Sequence, residues 1–436
     1  MRQLAFAFVL LFAPFAFAQI SAPSLAFEGY VTRAVSPLDF DVNGLRVLSN
    51  SKTKFSSEAT HERGGPEASG SLYLGQFVSI YGKVSKHKHK IDATEIMFHS
   101  QVQSDLVGFA VIDRILSPLK SGEILVRADG YPIRIIPTTK FKLKSPLSSL
   151  SSVTPNVWIT YHGFLHTDGI VVADSVVLSP NLISNREDKL LEKTDYDPAA
   201  VPDSTGQDPL RKLVFGVDPK KIPPYHDAAM QARIERVGKS LIPEYQRVLP
   251  ISDETKILFQ FQLVDGPEWR NPWALPSGVI LVPRQIVELM QNDSQLAAIL
   301  ADGVSCALEK QTYREQPSEK TKAISELGSL AAGWGVFAAV TLSKYGYAGN
   351  IYGGNAPVER QNEDQRGRVA LGLLRDGGYD LNDAPRAWWI ISAKGASHLA
   401  DSTMPDRAVN LFRTLGSIWN KNADTAAPST ATLGSK

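Results

Sequence analysis

Asp302 and Cys306 stand four residues apart in AILADGVSCALEK, residues 298–310, a spacing that puts both side chains on one face of a helix. A carboxylate and a thiolate so placed are weak candidates to share a metal, since both can ligate zinc. Metal-assisted hydrolysis also needs a base for the bound water. Glu309, on the same helix, lies about two turns from Asp302, too far along the axis for that role. Cys306 as a nucleophile would need an adjacent base, and His226 and His398 fall in no motif with it. A small thiol packed in a helix interface is the simpler reading. KHKHK, residues 86–90, falls between two strands and reads as a solvated hairpin turn rather than a metal or nucleic-acid site. Tyr81, Trp158 and Tyr161 fall on expected strands and read as core or face aromatics rather than stacking platforms.

The elements that must position these residues follow from periodicity. Two stretches, residues 26–100 and 104–180, are rich in β-branched residues with near-alternating polarity and resemble each other. Gly29 matches Gly108, Thr53-Lys54-Phe55 matches Thr139-Lys140-Phe141, and Ala93 to Ile96 matches Ala173 to Val176. The repeat predicts two tandem small antiparallel barrels of OB-like type. Residues 181–224 have the Pro-, Asp- and Lys-rich composition of a linker, with one short strand at LVFGV. An α-rich domain with a small sheet is expected over 225–420, and a disordered Ala/Thr/Ser-rich tail over 421–436. Within the domain, Met230, Ile234, Val237 and Leu241 mark a helix face, KILFQFQLV and residues 278–282 read as strands, and Asn292 begins the helix that carries Asp302. The fold class is therefore α+β and multidomain.

Composition narrows the function classes. A formal net charge of +1 over 436 residues gives no global footprint for nucleic acid. MRQLAFAFVLLFAPFAFAQ has a basic start, an apolar run and Ala16-Phe17-Ala18, the pattern of a secretory signal peptide over residues 1–18. The expected location is exported, in a periplasm, with no transmembrane span in the mature chain. The apolar run 327–342 is 16 residues, short of the about 20 that a span needs. Cys306 is the single cysteine, so stability must come from the cores and not from a disulfide.

In order and spacing, residues 225–415 resemble the zinc metallopeptidases that include the CAAX prenyl proteases, the HtpX stress protease and the BepA-like periplasmic proteases. The family's N-A-x-A-L-P-G-G is matched by NPWALPSG, residues 271–278. Its N-E-x-E-L-A-x-V-L-x-H-E-x-x-H is matched by NDSQLAAILADGVSC, residues 292–306. QRGRVALGLLRDGGYD, residues 365–380, resembles E-A-D-x-x-G-L-x-L-L-x-x-A-G-Y-D, and Ser402-Thr403-Met404-Pro405 stands where the family has S-T-H-P. The resemblance implies that Asp302 and Cys306 replace the two zinc-binding histidines, Gly303 the catalytic glutamate, Gln365 the third ligand, Gly367 a supporting aspartate and Met404 the later histidine.

No catalytic residue is intact by this reading, and neither zinc nor another cofactor is expected unless a divergent ligand set has been built. An ion pair from Asp302 to Arg366 or Arg368 is expected in place of the metal. The family likeness implies a polypeptide-binding edge at Leu275, Pro276, Gly278, Val279 and Ile280, and a loop at 344–355 that reads equally as a lid or a plain surface loop. The expected function is a pseudopeptidase of the cell envelope that binds or scaffolds polypeptides, in the setting of protein quality control. The alternatives are a divergent active zinc metalloendopeptidase and a ligand-binding protein whose barrels do the work.

Overall fold

The computed structural model describes residues 25–58, 63–64, 72–85, 89–100, 104–194, 196–201, 221–265, 272–314, 356–393, 399 and 402–419. The expected signal peptide, the loop at 344–355, the apolar run 327–342, LVFGV, His398, most of KHKHK and the tail lie outside the described residues.

The first barrel comprises β1 (Leu25–Ser36), β2 (Asp39–Val42), β3 (Leu45–Leu48), β4 (Lys54–Ser57), β5 (Arg63–Gly64), β6 (Phe77–Ser85) and β7 (Lys90–Phe98). The second comprises β8 (Ser104–Lys120), β9 (Glu123–Ala128), β10 (Tyr131–Ile135), β11 (Lys140–Leu143), β12 (Trp158–Leu165) and β13 (Val171–Ser179). Each closes into a five-stranded ring in the same way. β3 pairs parallel with β7, and β10 pairs parallel with β13, which completes the OB-like circuit.

The sequence repeat is also a structural one. Thr53 Oγ1 donates to the Ala93 carbonyl at 3.0 Å, and Thr139 Oγ1 donates to the Ala173 carbonyl at 2.7 Å. Phe55 registers with Ile96 as Phe141 does with Val176. The tight hairpins Asn43-Gly44 and Asp129-Gly130 occupy matching places and have positive φ throughout, which Asn-Gly and Asp-Gly pairs adopt readily.

Helix α1 (Asn185–Lys193) lies within the segment whose composition suggested a linker. Next come α2 (Ala228–Leu241), α3 (Glu244–Val248), β14 (Gln260–Val264), β15 (Trp273–Ala274), β16 (Val279–Pro283), α4 (Arg284–Leu289), α5 (Asp293–Leu308) and α6 (Gln311–Arg314). After the undescribed residues follow α7 (Ala356–Asp376), α8 (Asp383–Ser392) and α9 (Asp406–Thr414). Helix α5 is apolar nearly all round and buried, as a central helix must be. Asn292 caps it, its Oδ1 accepting from Gln295 N at 2.8 Å. None of the described helices is long and apolar enough to cross a membrane.

The second barrel is docked firmly on this domain. Arg127 of β9 is buried and bridges Asp113 of its own barrel, at 2.9 Å, to Asp376 of α7, at 2.5 Å. The hairpin glycines carry the docking too. Gly44 faces Trp389 and Met404, while a Cβ on Gly130 would run into the backbone of Arg368. Phe109 and Trp158 stack at 4.8 Å and join the core of the α-rich domain, so Trp158 belongs to an interface core rather than to the interior of its barrel.

Candidate functional site

The site is built on α5. Asp302 is buried on the side of the helix that faces α7 and α9. Its carboxylate accepts from Arg366 Nε at 3.2 Å and from Arg407, which lies in the first turn of α9. Burial, the largest single influence, pulls the Arg366 guanidinium down from its ordinary value, but Asp302, Cys306 and Glu363 together outweigh it and the net shift is upward. For Arg407 burial wins over the attraction of Asp302 and Glu363, and the net shift is downward. Arg407 also lies over the Trp388 ring, 3.3 Å from its centroid, and pairs with Glu363 at 3.3 Å.

Of the two expected partners of Asp302, Arg366 pairs with it and Arg368 instead binds Asp129 of the second barrel at 2.5 Å. Arg407 is a partner that spacing did not suggest. The available signal was the helix start at Pro405-Asp406, which sets residue 407 in the first turn of α9.

A chain of polar contacts continues from the ion pair. Arg366 Nη1 donates to Gln311 Oε1 at 2.9 Å, Gln311 Nε2 donates to Gln365 Oε1 at 2.9 Å, and Gln365 Nε2 donates to the Phe109 carbonyl at 2.9 Å. Gln365 thus uses both ends of its amide to join α6 to strand β8. Glu309 is buried beyond it, with Oε2 accepting from Val111 N at 3.2 Å.

The remaining motif positions are occupied by packing. A Cβ on Gly303 would lie 2.9 Å from Ile280 Cγ2, so Ile280 fills the space a side chain at 303 would need. A Cβ on Gly367 would come within 3.1 Å of Leu411. Met404 is buried in the apolar core of the domain. Cys306 is half-buried, with Sγ 3.9 Å from Thr312 Oγ1.

Leu275, Pro276 and Cys306 line a small pocket whose other wall is helix α1, through Glu187 and Leu191. Glu187 pairs with Lys310 at 2.7 Å, and Ser184 reaches the Tyr313 hydroxyl at 2.6 Å. The groove beside Cys306 is therefore covered by the chain's own helix.

Of the expected binding edge, Gly278 stands just before β16, and Val279 and Ile280 begin it. β16 is the central strand of a three-stranded sheet, paired parallel with β14 and antiparallel with β15, and every one of its residues is buried. The turn at Gly278, where φ is +94°, folds Trp273–Ala274 back onto β16 and makes β15 the outer strand.

Zinc does not fit these residues. The Asp302 carboxylate is already held by two guanidinium groups, whose charge opposes a cation, and Gln365 offers a neutral amide engaged at both ends. Among the described residues no three His, Cys, Asp or Glu side chains come together as a ligand set.

Residues 228–414 match the family described as Peptidase family M48, whose members are normally zinc-dependent. Residues 28–97, within the first barrel, match a domain of unknown function (DUF5666). The α-rich domain is thus metallopeptidase-like in fold and order of motifs, and two barrels precede it.

Proposed function

We propose that the protein is an exported pseudopeptidase, a metallopeptidase-like scaffold that holds polypeptides in the periplasm without hydrolysing them. One observation carries this reading. Asp302, which stands where the metal-binding helix of the related peptidases has its first ligand, is clamped between Arg366 and Arg407. A salt bridge there does the work of a structural metal, tying α5, α7 and α9 together without Lewis acidity. Ile280 against Gly303 supports the same reading, because it leaves no room for a general base. Export rests on the signal-like first 18 residues.

The test is the metal content and casein-cleaving activity of residues 19–436, purified from a periplasm without chelator or metal resin. We expect less than about a tenth of an equivalent of any transition metal and no cleavage above a buffer control. Near one equivalent, lost together with chelator-sensitive cleavage in Asp302→Asn or Cys306→Ser, overturns the reading in favour of a divergent metalloendopeptidase.

A further inference from the structure

Four polar side chains of the first barrel stand in a row on its outer face. Glu28 of β1 and Ser79 of β6 are directly opposed in the sheet, and on its other side Ser79 is opposed by Met97 of β7, two residues before His99. The two-residue period of a strand puts Glu28, Ser79 and His99 on one face. Ser79 Oγ lies 2.7 Å from Glu28 Oε1 and 2.7 Å from His99 Nε2, and His99 Nδ1 lies 2.8 Å from Glu58 Oε1. The row therefore runs Glu58, His99, Ser79, Glu28, with a carboxyl at each end. Backbone bonds hold it in place. His99 N donates to the Phe77 carbonyl at 3.0 Å, Glu58 N to the Phe98 carbonyl at 3.0 Å, and Ser100 N to Glu58 Oε2 at 3.3 Å.

Counting protons decides what the row can do. Three contacts this short need one hydrogen each. A neutral serine supplies one and a neutral imidazole another, while an ionised carboxylate supplies none. One more is needed. With it on His99, both ring nitrogens donate, to Glu58 and to Ser79, and the Ser79 hydroxyl turns to Glu28. With it on Glu28, the acid donates to Ser79, Ser79 to His99, and His99 to Glu58. Glu58 is not its seat, because the hydrogen bond from His99 holds that carboxyl below the usual range, against the smaller upward pull of burial. Without the extra proton, two lone pairs meet at one link and that link opens.

The row is placed to exchange this proton with solvent. Ser79 is buried, but the Glu58 side chain is 42% exposed and the His99 side chain 18%. Glu58, His99 and Phe77, whose ring centroid lies 5.1 Å from that of His99, also line a cleft of about 640 Å³ between the barrels and the α-rich domain. The other charged groups of its lining are the pairs Arg368–Asp129 at 2.5 Å and Arg413–Asp364 at 3.6 Å. Of the tyrosines there, burial pushes the Tyr73, Tyr131 and Tyr161 hydroxyls upward.

We propose that Glu58, His99, Ser79 and Glu28 form a proton-dependent latch in the wall of this cleft. With the extra proton the latch is closed and ties β1, β6, β7 and the end of β4 together. As pH rises the proton leaves, one link opens, and the His99–Ser100 end of the first barrel loosens beside the cleft. The latch is thus closed on the acid side and open on the alkaline side. It is built from the first barrel alone and does not depend on whether the α-rich domain holds polypeptides.

The experiment is amide hydrogen exchange of residues 19–436, read by mass spectrometry from about pH 5 to 8, the range over which imidazole ordinarily changes charge. Labelling times are scaled to the intrinsic exchange rate at each pH, and the fragment followed covers Phe98–Ser100. Protection there should fall roughly threefold to tenfold from the acid to the alkaline end, the factor that one hydrogen bond is worth. In Glu28→Gln the side-chain amide donates to Ser79 without any added proton, so the row closes around a neutral His99 and the fall should vanish. Ser79→Ala, at an unchanged melting temperature, cuts the row. It should leave protection at the acid end as low as the unaltered chain shows at the alkaline end.

Protection that stays flat across the series in the unaltered chain overturns the proposal, and so does a fall that Glu28→Gln keeps in full. A loss by the same factor at every pH in both variants also overturns it, since the row would then be a plain structural contact.

Discussion

Ile280 of the central strand β16 stands against the α carbon of Gly303, with its Cγ2 2.9 Å and its Cδ1 3.1 Å from where a Cβ would sit. Glycine at 303 and the fully buried isoleucine at 280 are therefore a single packing solution. Gly303→Ala should cost about 1–3 kcal/mol through overpacking, against a helix-propensity gain of roughly 1 kcal/mol. In an Ile280→Ala background the same change should be neutral or stabilising, and a double-mutant cycle by urea unfolding reads the coupling. For the same reason, a chain rebuilt with Asp302→His, Gly303→Glu, Cys306→His and Gln365→Glu should take up zinc only when Ile280→Ala is added. Additive effects of the 280 and 303 substitutions would show that the contact carries no energy.

Asp302 is the shared anion of two part-buried arginines, so removing it leaves Arg366 with Gln311 and Arg407 with Glu363 alone. Asp302→Ala should cost about 3–5 kcal/mol, because breaking a buried pair leaves charge uncompensated. The triple replacement Asp302→Leu, Arg366→Met and Arg407→Leu should recover most of that loss, since an apolar set of similar volume is often as stable as a buried ionic one. Chemical denaturation midpoints distinguish the two. A single mutant as stable as the unaltered protein would mean that the ion pairs are solvent-screened and carry little.

The barrels were legible because their signals are local and repeated. Thr53 and Thr139 recur at the same offset from a Lys-Phe pair, and each hydroxyl lands on an alanine carbonyl of the last barrel strand. Asn43-Gly44 and Asp129-Gly130 announce tight hairpins by residue type alone. The helix carrying Asp302 was legible through its cap and the motif spacing around it. What could not be read was partnership over long separations. Arg407 is 105 residues from Asp302, and Gln365 reaches a carbonyl 256 residues away. Composition made residues 181–224 look like a linker. Helix α1 nevertheless packs there, because Glu187 and Leu191 find Lys310 and the Leu275–Pro276 turn, contacts that no window of sequence contains. The central position of β16 was not legible for a related reason. A buried run of apolar residues does not show how many neighbours the strand has.

Helix α1 limits access to Cys306, and the Glu187–Lys310 pair holds it there with both side chains largely buried. Burial pulls the Lys310 amine below its ordinary range, and Glu187 opposes that pull. Glu187→Ala removes the counter-ion and one anchor of the helix together. The rate of Cys306 modification by a disulfide reagent should rise several-fold in native buffer, with a lower unfolding midpoint. An unchanged rate would mean that α1 leaves the thiol as reachable as it would be without the pair.

Glu309 gives the clearest dependence on pH. Its carboxyl is buried against β8, and burial pushes it well above the usual carboxylate range, opposed by Arg314, whose Nη1 lies 4.0 Å away. The folded state therefore holds the proton more tightly than the unfolded chain, where the group titrates near 4.5. Its favourable contribution is complete below that unfolded value and is lost as pH rises toward the folded one, at up to about 1.4 kcal/mol per pH unit. Glu309→Gln mimics the neutral acid and removes this slope. The variant should match the unaltered protein near pH 4 and become progressively more stable than it through neutral pH, measured as the difference in unfolding free energy at a series of pH values. A difference that stays constant across the series would place Glu309 in its ionised form throughout, with Arg314 as a full counter-ion.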